Sequence, residues 1–156
     1  MGRIGRYLAI VVLLLGVVGV VIGSVFIAQA VEKNNWMSEA MRVEHVTLGL
    51  DEATVAKGEV VDTAEEAQIA GDTIREHRRN IAPTYDELLG GGRFDPTNPK
   101  QLSYAQALNM ENYLYLAVLG FGVTTVIIGV GVFMIIMGIG LGGTGVVLLG
   151  LTRRIS

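Results

Sequence analysis

The chain contains no cysteine, which excludes disulfides, zinc–thiolate sites, iron–sulfur clusters and a cysteine nucleophile. Two histidines and three prolines leave little material for metal chemistry or for a proline-rich ligand. Acid is missing from long stretches: all 15 acidic residues lie between Glu32 and Glu111, with none in residues 1–31 or 112–156. Charged residues of either sign make up only 17% of the 156. Apolar residues fill the space, at 51% and a mean hydropathy of +0.49, too high for an ordinary water-soluble domain of this length. The chain reads as three blocks, apolar, charged and apolar.

The first block, Tyr7 to Ala30, runs 24 residues without a charge, where a hydrocarbon core of ~30 Å takes about 20 helical residues to cross. Arg3 and Arg6 before it and Ala28-Gln29-Ala30 at its end have the layout of a secretory signal, but signal cores are usually about 7–15 residues. The expectation is a retained membrane anchor. The second block, Tyr113 to Leu151, has 39 uncharged residues, and a single helix of that length would reach roughly 58 Å, more than a bilayer needs. A return span after the glycines Gly138, Gly140, Gly142 and Gly143 would have only Thr144 to Leu151 to use, which is too short. This predicts one span over about 113–138, followed by an apolar tail over 139–156.

Charge sets an orientation. Arg3, Arg6, Arg153 and Arg154 sit at the two ends with no acid nearby, whereas eight basic residues share the central block with 15 acids and leave it at −7. Positive segments stay in the cytoplasm. Both termini are then expected inside a cell membrane, with residues 1–6 cytoplasmic, 7–30 the first span and 31–112 an extracytoplasmic domain. Trp36, Tyr113 and Tyr115 then fall at the outer interface and Tyr7 at the inner one, as aromatic belts require. The fold class expected is an all-α membrane protein with two antiparallel spans and a small, mainly helical outer domain.

Within that domain, Asp62-Thr63-Ala64-Glu65-Glu66 has the form of a capping box that starts a helix. Ala67, Ala70, Ile74, His77 and Ile81 step by three and four along one stripe, and Pro83 ends the helix by disfavouring helical backbone at Ala82. Tyr85 to Leu89 offers one more turn before Gly90-Gly91-Gly92. Asn98 followed by Pro99 suits an N-cap with proline at the first helical position, and nothing from Gln101 to Tyr115 stops a helix there from running to about Gly138. Val43 to Leu48 and Glu59 to Val61 have the pattern of a small hairpin.

Ile74-x-x-His77, then Thr84-Tyr85-x-Glu87-Leu88, then a helix entering a glycine-rich second span, resembles a group of small bacterial two-span proteins with an outward loop. Members of that group often carry the name of a ring-opening dioxygenase, which we regard as mistaken. The resemblance covers roughly residues 40–140 and implies a membrane protein; it supplies no site residues.

A non-haem iron site needs two histidines and a carboxylate around open positions. His45 and His77, with Glu44, Glu76 or Glu87 as third ligand, are the candidates for a metal- or haem-binding redox accessory subunit, the alternative reading. Against it, His77 occupies a stripe position where a packed histidine is ordinary. Arg75, Arg78 and Arg79 share turns with Asp72 and Glu76, which points to mutual pairing before phosphate binding. An acidic outer domain repels nucleic acid. No cofactor, catalytic residue or small-molecule substrate is indicated.

The glycines carry more. Gly19-x-x-x-Gly23 in the first span, and Gly131, Gly138 and Gly145 at heptad spacing in the second with Gly122 and Gly129 as a further pair, let helices approach closely where lipid gives no hydrophobic drive. Together with the stripe Ala67, Ala70, Ile74, His77 and Ile81, they are the expected interface residues. Whether they pack within one chain or between chains is open at this level. The function expected is a non-enzymatic structural or accessory membrane protein that assembles in the bilayer as a homo-oligomer or as a small subunit of a larger complex.

Overall fold

The computed structural model describes the backbone of residues 2–154 and the side chains of residues 4–153. The Arg3 and Arg154 side chains used in the charge argument lie outside the described residues. Among the described residues all regular structure is helical, in the order α1 (Gly2–Val43), α2 (Glu52–Ala56), α3 (Ala64–Ile81), α4 (Tyr85–Leu89) and α5 (Pro99–Arg154). With 42 and 56 residues, α1 and α5 extend roughly 63 and 84 Å. Both are long and apolar enough to cross a membrane. In the most apolar 18 residues of each, only 11% and 17% are buried, where the core helix of a water-soluble protein would be mostly covered.

Helix ends follow their local chemistry. Thr63 accepts from the Glu66 N–H while Glu66 accepts from the Thr63 N–H, the reciprocal cap expected of α3. Ala82 ends α3 in extended backbone ahead of Pro83. Thr84 caps α4 through the Glu87 N–H, and Gly90 closes it in the left-handed region at φ 57°. The Asn98 side chain accepts from the N–H groups of Lys100 and Gln101 and starts α5 with Pro99 at its first position.

Two expectations need correction. The hairpin does not form: the Asp51 side chain accepts from the Thr54 N–H and hydroxyl and nucleates α2 instead. One bond of the expected ladder remains, from the Val61 N–H to the Val46 carbonyl at 2.8 Å. The second long helix does not stop at Gly138 with a separate tail over 139–156; α5 continues through every glycine to Arg154. Glycine weakens a helix by about 1 kcal/mol per site relative to alanine, but Gly138 and Gly145 in this stretch are held against α1.

The chain divides into two compact units, Met1–Lys33 with Val123–Ser156, and Asn34–Gly122. In the first, α1 and α5 touch through glycine. A Cβ on Gly131 would lie 2.7 Å from the Gly23 carbonyl oxygen, one on Gly138 2.6 Å from that of Gly16, and one on Gly145 2.7 Å from the Leu13 nitrogen. Backbone meets backbone there, so no larger residue fits without the helices separating. Gly19 lies against Gly138, and Gly5 against Thr152. The Ser24 and Thr144 hydroxyls donate to the carbonyls four residues back, which satisfies them without any partner helix. Large apolar side chains such as Leu14, Val18, Phe133 and Ile136 remain exposed.

In the second unit, Val61, Ala67, Ala70, Ile74 and Leu114 form a small core, with Met41, Val46, Leu48 and Leu50 packed around it. Small residues on α3 bring it close to α5: a Cβ on Gly71 would meet the Tyr115 ring at 2.9 Å. Asp62 ties the start of α3 to the end of α1, accepting from the Arg42 guanidinium by its carboxylate and from the Ser38 hydroxyl by its carbonyl.

Candidate functional site

Two features of the second unit stand out. The first is polar and buried. Arg78 on α3 donates through Nε to Glu111 of α5 at 2.6 Å, and a second donor, Nη2, reaches the other carboxylate oxygen at 3.4 Å. Its Nη1 donates to the hydroxyl of Tyr104, whose ring lies under the guanidinium at 5.0 Å. The Glu111 carboxylate, bonded to the guanidinium, pushes the Arg78 pKa up and keeps the side chain cationic. A turn and a half earlier on α3, Asp72 accepts from the Tyr115 hydroxyl at 2.7 Å, from Gln68 and from Arg75. The Tyr115 hydroxyl first, then Gln68 and Arg75, hold the Asp72 carboxyl below the usual range. Among the described residues no buried side-chain nitrogen or oxygen lacks a hydrogen-bond partner, so the chemistry of this cluster is that of a clamp between α3 and α5.

The second feature is apolar and open. Trp36, Met37, Ala40 and Met41 of α1 face Met110, Tyr113, Leu116 and Ala117 of α5 across a groove of about 800 Å³, floored by Val46, Val61 and Leu114. Its polar residues are Glu44, Gln106 and Asn109. The volume falls in the ~300–1,000 Å³ range of small-ligand sites, and three methionines give an adaptable wall.

The expected interface residues are placed unevenly. Ala67, Ala70 and Ile74 are buried and Ile81 is half-buried. His77 is exposed, and the stripe passes through Arg78 instead. The buried positions 67, 71, 74 and 78 step by four, three and four; turning one residue further brings Arg78 to Glu111 and leaves His77 outside. Gly19, Gly23, Gly131 and Gly138 lie in the contact between α1 and α5, whereas Gly122 and Gly129 have nothing within 4 Å of an added Cβ. His45 is exposed too, in a turn with φ 50°. Among the described residues no group of three or more His, Asp or Glu is placed to hold a metal ion.

Sequence reasoning looked for the partners of Arg75, Arg78 and Arg79 in Asp72 and Glu76; Arg75 does bond Asp72, but the bonding of Arg78 to Glu111 and Tyr104, and the groove, were missed. One signal was available for the ion pair. Glu111 is the last acid of the chain, two residues before a 39-residue uncharged run, and a carboxylate in such surroundings needs a cation. Compared with known families, curated proteins and solved structures, the chain matches none.

Proposed function

We propose that the chain is a two-span integral membrane protein whose role is structural or accessory, exercised by assembling with further membrane helices, as a homo-oligomer or as a small subunit of a larger complex. The observation that carries this reading is the second glycine face of α5. Gly129 and Gly140 stand eleven residues apart, which returns a helix to within about 20° of the same direction. Neither has a neighbour within 4 Å of an added Cβ, and Gly131, on the face filled by α1, lies about 200° round the helix from Gly129. Beside them Val126, Phe133 and Ile136 are more than 60% exposed. Small residues flanked by large apolar ones form the surface that a partner helix fits in lipid.

Three further observations support the membrane setting. The exposed apolar side chains of α1 and α5 are stable in lipid and costly in water. The order of contacts, Gly23 with Gly131, Gly16 with Gly138, Leu13 with Gly145 and Gly5 with Thr152, supports antiparallel spans. Basic ends and an acidic centre support cytoplasmic termini and an extracytoplasmic domain over about 31–112. The reading assigns no reaction, cofactor or substrate.

The natural absence of cysteine makes the test direct. Gly129→Cys in native membranes cross-links to a second copy, or to a subunit that carries a cysteine, on mild oxidation, while Ala30→Cys, at a buried position of α1, does not. Equal behaviour of the two positions would refute the open face as the assembly surface.

A further inference from the structure

We infer that the groove between Trp36–Glu44 and Gln106–Ala117 holds one acyl chain of an amine-bearing phospholipid lifted part-way out of the outer leaflet. This rests on the membrane reading above. In that reading Trp36 and Tyr113, both about two-thirds exposed, mark the outer interface. From Trp36 to Glu44 is eight residues and from Tyr113 to Gln106 seven, so both walls continue roughly 10–12 Å beyond that level. Bilayer hydrocarbon does not reach this part of the groove, yet its walls are Met37, Met41 and Met110. At its other end Leu116 and Ala117 belong to the uncharged run, which in the membrane reading lies in lipid.

Charge selects the head group. Of the residues that line the groove, Glu44 alone is charged; counted along the helices from Trp36 and Tyr113, it and Gln106 are the farthest from the bilayer, with Asn109 about half-way. A carboxylate there attracts an ammonium and repels an anionic head, while the two amides offer hydrogen bonds to phosphate and ester oxygens. The volume of about 800 Å³ suits a flexible chain.

The full chain is reconstituted in phosphatidylcholine vesicles doped with phosphatidylethanolamine carrying a photoreactive acyl chain, and in parallel with phosphatidylglycerol carrying the same chain. After irradiation the labelled residues are mapped. The label is expected to concentrate at Met37, Met41 and Met110, with the ethanolamine lipid ahead by about two- to fivefold, the size of an exposed ion pair. Ala40→Trp, which fills the groove, removes that label and leaves label on the exposed Val25 of α1 unchanged; Glu44→Gln abolishes the head-group preference and keeps the groove label. An unlabelled groove, or groove label no denser than on Val25, overturns the inference. So does Met110→Cys cross-linking between copies, which would seat a second chain there. Release of the chain from the vesicles by alkaline extraction would instead overturn the membrane reading itself, a different result from retained protein with an unlabelled groove.

Discussion

Replacing Glu111 by Gln removes one charge from a pair whose side chains are only 11% and 8% exposed and leaves the Arg78 guanidinium buried without its anion. Breaking a buried pair from one side costs about 3–5 kcal/mol, because the remaining ion keeps its desolvation penalty and loses its compensation. For a unit of 89 residues, Asn34–Gly122, that lowers the unfolding midpoint by more than about 10 °C. Far-UV circular dichroism is the wrong assay, since α1 and α5 dominate the signal; hydrogen exchange of the α3 amides reads the clamp directly. Protection of residues 66–81 should fall by more than a hundredfold while that of residues 10–25 is unchanged. The triple variant Arg78→Met/Glu111→Leu/Tyr104→Phe removes both ions and the hydroxyl that Arg78 bonds, and should recover most of the protection. A Glu111→Gln variant within about 1 kcal/mol of the wild type, or a triple variant no better than the single one, would refute the reasoning.

Three more outcomes follow from the same contacts. Asp72, held below the ordinary carboxyl range by Tyr115, Gln68 and Arg75, stabilises α3 fully above about pH 4 and loses that contribution as pH falls through its lowered folded value; Asp72→Asn should flatten this acid limb in hydrogen exchange of α3. Gly138→Ile should lower thermal stability by at least about 1–3 kcal/mol through overpacking against Gly16, whereas Gly140→Ile, with open space around it, should leave the isolated chain unchanged. In intact cells, a membrane-impermeant maleimide should label Glu65→Cys and not Arg6→Cys; the reverse pattern would invert the topology.

Much of the fold was legible because it rests on local chemistry. The Thr63 and Glu66 cap, the stop at Pro83, the Asn98-Pro99 start and the two uncharged runs each depend on residues a few positions apart. The hairpin was misread because an Asp51 side chain reaching Thr54 outweighs a weak strand pattern in a segment interrupted by Gly49 and Gly58, both at positive φ. The extent of α5 was missed because the 39-residue uncharged run was measured against the thickness of a bilayer and the helix ended at Gly138; that α1 lies against Gly131, Gly138 and Gly145 is visible only with both helices in place. Arg78 was set aside for His77 because hydropathy ranks histidine as the more buriable, and the reversal depends on Glu111, 33 residues away. The groove is formed by residues about 70 apart on different helices, a distance that no local pattern spans.

Assembly through the open face of α5 is tested most directly by the mass of the particle released from native membranes by gentle extraction, with every chain in it identified. The account predicts a particle heavier than the 16.7 kDa chain, made of several copies or of this chain with other membrane subunits, and made smaller by Gly129→Ile together with Gly140→Ile. A particle holding one copy of this chain and no other protein would contradict it.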